Sequence, residues 1–452
     1  MTGRLRTAWS KLDEIWFGPG SYTDLALLRI VVVAGHVFLF YPSLERQLSY
    51  ASAHPDLFLS LPALKVLLLP LGEWGIRPDP TLLQAVWLVG IVSGISALVG
   101  KYTRLSLFIH AAAATLLVAH MYSYGTVHHP RGLLIIALWT LAFSRCGRAW
   151  SLDNLSRRMN RAEARGRFEP LENPETRGTL ARWPLLLIQW VLALAYFSAG
   201  MSKLVNGGMD WFGSSTLAHY LVQDALRQDR PLGLVLASAP PEVLTTIAVG
   251  VVIFELAFPL AVILPRTAWF FLLTGAGMHV GILLTQGAPF LEWSLLYIAF
   301  LPSLRNSFPV NSMRRLARRV IPSSNPDRKW AVVYDGHCGF CIRTMVVINY
   351  LDFGRRVIPV DLESEWEQIN DSAPSLSRDH ARHAMHVITP DSRVLGGFEG
   401  FRELTRALPL LWPLLPFTSA PFVEKLGNPI YEFVASRRVR LGPCGEGHCV
   451  VP

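Results

Sequence analysis

Charge is scarce in this chain of 452 residues. Asp, Glu, Lys and Arg together make up 17% of it, against about a quarter in ordinary soluble domains. Hydrophobic residues make up 51%, and the mean hydropathy is +0.33. This composition excludes an ordinary soluble multidomain protein and points to a membrane protein.

Other features are also missing or few. The sequence contains no glycine-rich loop of the kind that holds nucleotide phosphates and no internal repeat. It has five cysteines. Charged residues are spread over the first 14 positions, and the first apolar block is long enough to be a full span. We therefore expect no cleavable signal peptide.

Apolar residues cluster between Leu25 and Pro302 in blocks close to the length that crosses a bilayer. A further run, 61–71, is interrupted by Lys65 and Pro70 and predicts a re-entrant or interfacial segment. The pattern predicts a polytopic α-helical membrane domain of about eight spans, at 24–41, 82–99, 104–122, 131–145, 183–204, 243–265, 267–286 and 289–303.

The sequence after Ser303 returns to the composition of a soluble domain. We divide the chain into a membrane domain over 1–303, a basic cytoplasmic linker over 304–328 and a second domain over 329–452. Arginines predict the orientation, because basic loops stay on the cytoplasmic side. The arginine-rich segments contain Arg145, Arg148, Arg157, Arg158, Arg161, Arg165, Arg167, Arg177 and Arg182, and then Arg305, Arg314, Arg315, Arg318 and Arg319.

Eight spans place both segments and both chain ends in the cytoplasm of an inner or plasma membrane of bacterial type. The net charge of +9 is explained by this topology and by attraction to anionic membrane lipid, so it requires no nucleic-acid partner. All five cysteines then face the cytoplasm, where structural disulfides are rare. Cys146 is expected to be a packed small hydrophobe, whereas paired cysteines there are catalytic or bind metal.

The second domain has the pattern of a small α/β fold. Strands are predicted at 330–334 and 356–362, a helix at 341–351, a hairpin from 385–389 to 393–395, and a helix at 398–407. This order predicts a thioredoxin-like sandwich.

Cys338 and Cys341 lie between the first strand and the first helix, in a CxxC spacing suited to thiol–disulfide exchange. A cysteine at a helix N-terminus meets unpaired amide groups and the positive end of the helix dipole, which favour its thiolate. We expect Cys338 to attack and Cys341 to resolve. The alternative is structural zinc, held by the four thiolates of Cys338, Cys341, Cys444 and Cys449.

Three segments of this domain carry a resemblance: the string from Tyr334 to Cys341, the hairpin with Gly396 and Gly397, and the late string from Ile430 to Arg438. Together they resemble the DCC (DUF393) family of predicted thiol-disulfide oxidoreductases. The resemblance implies protein-disulfide reductase activity with Cys338 and Cys341 at the site. No proline directly precedes Met385, which departs from thioredoxins proper.

The membrane domain has its own ionisable residues. Lys203 lies at the outer end of the fifth span, where a lysine in partly apolar surroundings can serve as a base or as an interfacial anchor. His128 and His129 lie at the outer mouth of the fourth span. Ionisable residues within spans are costly and face a protein interior or cavity; those here are His36, His110, His279 and Glu255. Helix–helix hydrogen bonding is the alternative for the histidines.

A second resemblance covers most of residues 10–303. It rests on the string from Tyr196 to Leu204 followed by Asp210 and Trp211, on Trp150 to Asp153, on Glu255 to Pro259, and on Met278 and His279. These segments resemble the HTTM fold shared with vitamin K-dependent gamma-carboxylase. The resemblance implies that Lys203 is the base that deprotonates a reduced quinone, and that His129 and His279 line the site of a lipid quinone.

Two main hypotheses follow. The first is an integral membrane thiol-disulfide oxidoreductase that exchanges with a thiol or disulfide protein on the cytoplasmic side and handles a quinone in its membrane domain. The second is a non-enzymatic membrane protein with a zinc-bound or redox-sensing module. A quinone-dependent epoxidase or carboxylase-like enzyme is a further alternative, although the chain has only residues 205–242 in place of the large outer domain of the carboxylase.

Overall fold

The computed structural model describes residues 2–69, 77–125, 129–169, 177–288, 290–305, 329–352, 354–418 and 421–437. The chain forms two compact units. The first comprises Met1–Asp153 and Thr176–Ala317, and the second comprises Asn154–Glu175 and Arg318–Pro452.

The described part of the first unit is mainly helical. Its one sheet there is a two-residue antiparallel pair, β1 (Gly20–Ser21) with β2 (Arg177–Gly178). Its helices are α1 (Thr2–Phe17), α2 (Tyr22–Gly35), α3 (Leu44–Ala51), α4 (Pro62–Leu68), α5 (Pro80–Val99), α6 (Thr103–Tyr122), α7 (His129–Phe143), the start of α8 (Leu152–Arg165), α9 (Arg182–Ser202), α10 (Ser214–Gln228), α11 (Pro231–Ala237), α12 (Pro241–Ala257), α13 (Leu260–Ile263), α14 (Ala268–Gln286), α15 (Leu291–Leu296) and α16 (Leu301–Arg305).

Local sequence explains where several of these helices begin and end. The side chain of Ser21 accepts a hydrogen bond from the N–H of Asp24 at 3.2 Å, and Asp79 accepts one from Leu82 at 2.8 Å. Both are N-caps that satisfy an otherwise unpaired amide. Pro80 follows Asp79 at the first helical position, where its missing N–H costs nothing. Helix α5 ends at Gly100, whose φ of 73° suits a residue without a side chain.

Five helical segments are long and apolar enough to cross a membrane: Tyr22–Phe40, Pro80–Val99, Thr103–Tyr122, Arg182–Phe212 and Pro265–Gln286. The count becomes six if α11 and α12, which meet at 108°, are one broken span. Two of the shorter predicted spans lack a long helix. The predicted span 131–145 corresponds to the shorter apolar helix Arg131–Phe143. In the predicted span 289–303 the helical structure changes type at Tyr297 and again at Leu301. Several long apolar helices thus suggest membrane insertion, while the predicted count of eight is not confirmed.

The second unit contains a four-stranded mixed sheet in the order β4-β3-β5-β6. Strand β3 pairs in parallel with β4 and antiparallel with β5, and β5 forms an antiparallel hairpin with β6. The elements after Lys329 are β3 (Trp330–Tyr334), α17 (Gly339–Leu351), β4 (Val357–Asp361), α18 (Trp366–Ser372), α19 (Arg378–His383), β5 (His386–Ile388), β6 (Val394–Gly396), α20 (Gly397–Ala407), α21 (Leu415–Thr418) and α22 (Pro421–Arg437). Every strand and helix predicted for this region is present.

Two apolar clusters pack on the faces of this sheet. One joins Val332 and Val387 to Ile342 and Met345 of α17, and the other joins Val333 and Ile388 to the short helices α18 and α19. The first cluster also includes Ala162 and Phe168. Helix α8 from Asn154 onward and the residues after it therefore contribute to the core of the second unit, although more than 150 residues separate them from β3 in sequence.

Candidate functional sites

Cys338 occupies the N-cap position of α17, with φ −93° and ψ 112°. Its carbonyl accepts the first intrahelical hydrogen bond, from the N–H of Ile342 at 3.0 Å. The amides of the first turn thus surround the start of the helix beside this cysteine. Cys338 is buried, with 7% of its surface exposed, whereas Cys341 in the first turn is half-buried.

The loop before Cys338 is held by carboxylates. Asp361, at the end of β4, accepts hydrogen bonds from the N–H groups of Gly336 at 3.0 Å and Glu363 at 3.1 Å. Asp335 accepts one from the N–H of His337 at 2.9 Å. A β-carbon at Gly336 would lie 2.4 Å from the Asp361 carboxylate oxygens. Only glycine permits this close approach, which explains the Asp-Gly pair three positions before the first cysteine.

Glu363 lies near the same loop but is engaged elsewhere. Its carboxylate pairs with Arg378 at 2.7 Å and with Arg382 at 3.1 Å. Burial alone would raise the pKa of Glu363, but the two guanidinium groups outweigh it and hold this pKa below its ordinary value. Possible ligand atoms of Asp335, His337 and Glu363 lie within 4.8 Å of one another. Both oxygens of Glu363 are already paired with these arginines.

An apolar cavity of about 580 Å³ adjoins the cysteine pair. Cys341 lines it, together with Phe340 of α17, Met385 before β5, Phe401 of α20 and Ile430 of α22. Burial raises the pKa of Tyr334, which also lines the cavity. The CxxC pair thus has an apolar pocket at its side.

Part of the predicted zinc set cannot be placed. Cys444 and Cys449 lie outside the described residues, as does His128. His129 begins α7, but its side chain is also outside the described part. The four-thiolate site and the quinone role of His129 therefore stay predictions.

In the first unit, Lys203 pairs with Glu255 of α12. The Lys203 ammonium lies 2.8 Å from both carboxylate oxygens and 5.3 Å from the ring centre of Trp211. Both charged side chains are largely removed from solvent, at 20% and 7% exposure. The two opposite charges neutralise each other, which makes them tolerable in an apolar environment.

Three further polar side chains form a chain of short contacts. The hydroxyl of Tyr196 in α9 lies 2.6 Å from Nε2 of His279 in α14 and 2.6 Å from the hydroxyl of Tyr297. Gly275 makes room for them, because a β-carbon there would lie 2.4 Å from the Tyr297 hydroxyl. Among the described residues, Nδ1 of His279 and Nε1 of Trp293 are buried without a hydrogen-bond partner.

The ion pair and the Tyr196–His279 contact lie at one cavity of about 1190 Å³. Its wall includes Tyr196, Lys203, Trp211, Glu255 and His279, with apolar side chains between them. The structure therefore brings together Lys203 and His279, which the sequence placed in one site only by resemblance. Trp293 also lines this cavity.

The site contains residues that sequence reasoning did not assign a role. Tyr196 belongs to the same string as Lys203 and precedes it by seven residues, which is two helical turns. That spacing on one helix face was a usable signal. No such signal exists in the sequence for Tyr297 and Trp293, because they lie far from Lys203 in sequence and only the fold brings them near the site.

His36 and His110 form a separate pair. Nδ1 of His110 lies 2.7 Å from the carbonyl of Gly90, and because a carbonyl only accepts, this nitrogen carries the proton. Nε2 of His110 then accepts from Nδ1 of His36 at 2.9 Å. The pair joins the segment after α2 to α6, which fits helix–helix hydrogen bonding.

Comparison with protein families gives one match: residues 332–443 fit the model of the DCC1-like thiol-disulfide oxidoreductases. The match begins in β3 and includes Cys338 and Cys341. It covers about a quarter of the chain, so the family likeness concerns the C-terminal region. Comparisons with curated proteins and with solved structures found no match.

Proposed function

We propose that the protein is an integral membrane thiol-disulfide oxidoreductase. One observation carries the proposal: Cys338 caps the N-terminus of α17 and Cys341 lies in its first turn, within a region that matches a thiol-disulfide oxidoreductase family. The strand order, with a parallel β3–β4 pair and an antiparallel hairpin beside it, supports a thioredoxin-like domain.

In this proposal Cys338 reacts as the thiolate, stabilised by the amides of the first turn of α17. It attacks a substrate disulfide to form a mixed disulfide and release one thiol. The thiol of Cys341 then attacks Cys338, closes the Cys338–Cys341 disulfide and releases the second thiol. Two electrons pass from the protein dithiol to the substrate disulfide.

The test uses full-length protein in lipid nanodiscs, reduced and then offered a disulfide substrate. Cys338→Ser is expected to abolish turnover, and Cys341→Ser is expected to trap a mixed disulfide on Cys338. Lys101→Ala, which changes an exposed lysine of the first unit, serves as the matched control and leaves turnover intact. The rate of Cys338 alkylation as a function of pH should show a thiolate more abundant at neutral pH than in free cysteine. Unchanged turnover in Cys338→Ser contradicts the proposal.

The alternative of a zinc-bound module makes a different prediction. The purified protein would then contain stoichiometric zinc. Removing the zinc would make four thiols reactive, those of Cys338, Cys341, Cys444 and Cys449. This result would replace the redox role of the cysteines by a structural one. Metal analysis of purified protein with thiol counting decides between the two.

For the membrane unit we propose an HTTM-like fold of about eight spans, with the second domain in the cytoplasm. Reporter fusions at the C-terminus and after residue 165 should both report the cytoplasmic side, because basic segments are retained there. An external location of either reporter would contradict this topology.

We further propose that the cavity around Lys203 binds a lipid quinone. The support is the cluster itself: an ion pair, a tyrosine–histidine contact and the side chain of Trp293 line one largely apolar space. The few polar groups suit the oxygens of a quinone, and the apolar wall suits an isoprenoid or aromatic body. A bound quinone supplies reversible two-electron chemistry, in which Lys203 would hold or accept a proton.

Mass spectrometry of gently extracted protein tests this second proposal. A quinone should co-purify with the unmodified protein and be depleted in His279→Ala and Lys203→Ala. The cysteine variants should retain it. Equal quinone content in all of these variants would contradict a site at this cavity.

A further inference from the structure

The cavity beside Cys341 has a chemical character that narrows the substrate. Its described lining is formed by aromatic and aliphatic side chains from α17, α20 and α22, and Asp335 is the one charged residue among them. Three apolar residues at its edge are strongly exposed: Phe401 at 44%, Leu426 at 61% and Ile430 at 63%. Exposed apolar side chains around a pocket are typical of a surface that a ligand covers.

The main-chain groups of Met385, which lines the cavity, are already used. The N–H of Met385 donates to the hydroxyl of Tyr431 at 3.0 Å, and the carbonyl of Met385 accepts from the N–H of Gly397 at 3.1 Å. An extended peptide in this cavity would bury its own N–H and C=O groups against apolar side chains. Each such unpaired group is costly, so the cavity disfavours a polypeptide.

Charge disfavours a second common type of disulfide. Glutathione disulfide is anionic at neutral pH, and the Asp335 carboxylate would repel it while the apolar wall offers no compensating cation. A small neutral ligand has neither difficulty. The volume of about 580 Å³ lies within the range of small-molecule sites.

We propose that this cavity binds the apolar body of a small, neutral disulfide and delivers its sulfur–sulfur bond to the CxxC pair. The cavity borders the cysteine site at Cys341, which forms part of its wall, and Cys338 lies about one turn away at the N-cap of the same helix. This inference rests on the proposed oxidoreductase function and narrows its substrate from a disulfide of any kind to a lipophilic small molecule. The Cys338 thiolate takes one sulfur of the substrate, and Cys341 closes the protein disulfide, so that two substrate thiols leave.

The test compares three disulfides on reduced full-length protein in nanodiscs: dibutyl disulfide, bis(2-hydroxyethyl) disulfide and glutathione disulfide. Each kcat/KM is divided by the rate constant of the same disulfide with dithiothreitol, which removes intrinsic reactivity. The corrected value for dibutyl disulfide should exceed the other two at least tenfold. Dibutyl sulfide, which has no sulfur–sulfur bond, should compete with it.

Variants then locate the effect. Ile430→Ser should lower the corrected kcat/KM for dibutyl disulfide about fivefold or more, since each methylene removed from apolar contact weakens binding about fourfold. Ala435→Phe fills the cavity from its wall and should do the same. Ile358→Ser is the matched control, because Ile358 is 41% exposed on β4 and does not line the cavity.

The outcomes separate the two proposals. Equal corrected values for the three disulfides, or equal effects of Ile430→Ser and Ile358→Ser, would overturn the substrate class while leaving CxxC turnover in place. Failure of the underlying function shows itself differently, as turnover of all three disulfides that persists in Cys338→Ser.

Discussion

At the scale of single residues, the Lys203–Glu255 pair tests how the first unit tolerates charge. Glu255 is buried and its carboxylate contacts Lys203 through both oxygens. Removing one partner leaves the other charge buried and unpaired, whereas removing both leaves no buried charge. The two positions should therefore be strongly coupled.

We expect Lys203→Met to lower the free energy of unfolding by on the order of 3 kcal/mol. Lys203→Met combined with Glu255→Gln should be less destabilised than the single variant. Thermal unfolding in detergent, followed by tryptophan fluorescence, measures both. Lys101→Met is the control, because the Lys101 side chain is exposed. Its ammonium lies over the ring of the neighbouring residue Tyr102. A double variant that is as unstable as Lys203→Met would disprove the coupling.

His386 in β5 predicts a dependence of stability on pH. Burial lowers the pKa of His386 below its ordinary value of 6.5, and its Nδ1 donates to the carbonyl of Ala384 at 2.8 Å. The unfolded chain therefore binds a proton at a higher pH than the folded protein does. The stability from this residue is complete above pH 6.5 and is lost as the pH falls toward the lower folded value.

Unfolding of the second unit should thus occur at lower temperature as pH decreases below about 6.5. The variant His386→Asn should flatten this dependence, and His383→Asn, which changes an exposed histidine that does not act on His386, should not. Thermal melts between pH 5 and pH 8 provide the measurement. An identical slope in His386→Asn would show that other groups carry the effect.

At the scale of elements, the turn from β3 into α17 decides how the cysteines are presented. It depends on the contact of Gly336 with Asp361, which lies on the neighbouring strand β4. We expect Gly336→Ala to push the Asp361 carboxylate aside, because its β-carbon would lie 2.4 Å from those oxygens. The cost should be about 1–2 kcal/mol of stability, with a severalfold change in the alkylation rate of Cys338.

Gly354→Ala offers a matched control for this prediction. The nearest atoms to its β-carbon would belong to the side chain of Arg356, at 3.2 Å, and this flexible side chain can move. Alkylation kinetics and melting curves of the two variants should therefore differ. If Gly336→Ala reacted and melted like Gly354→Ala, the carboxylate contact would not set the position of the cysteines.

At the scale of the whole molecule, the second unit is built from two distant parts of the chain. Phe168 is 8% exposed and its ring centre lies 5.9 Å from that of Tyr334, at a steep angle. Arg343 of α17 forms an ion pair with Glu163 of α8, with Nε at 3.0 Å from the carboxylate. The segment between α7 and α9 thus completes the core beneath the cysteine helix.

We predict that Phe168→Ala destabilises the second unit by about 3 kcal/mol, the cost of deleting a buried aromatic side chain. The C-terminal region should then be digested faster by protease in the full-length protein. Phe417→Ala removes an aromatic ring that is 70% exposed and should have little effect. Equal protease resistance in the two variants would mean that residues 154–169 add nothing to this core.

Much of the molecule was predictable because its signals are local. The length of apolar blocks indicated the membrane helices, and the change of composition after Ser303 separated the C-terminal region. Alternation and turn residues predicted β3, α17 and the hairpin, and the position of Cys338 at a helix start followed from the same pattern. The shorter spans were not confirmed because length alone does not distinguish a span from a short helix.

Only the tertiary structure decided which distant residues meet. Lys203 and Glu255 are separated by 52 residues, and Tyr196 and His279 by 83. The contribution of Phe168 to the second unit and the apolar cavity beside Cys341 are of the same kind. Helix and strand periodicity states which face of an element is apolar, but not which element covers that face. Sequence therefore determined the elements and the CxxC pair at a helix start, and packing determined the sites around them.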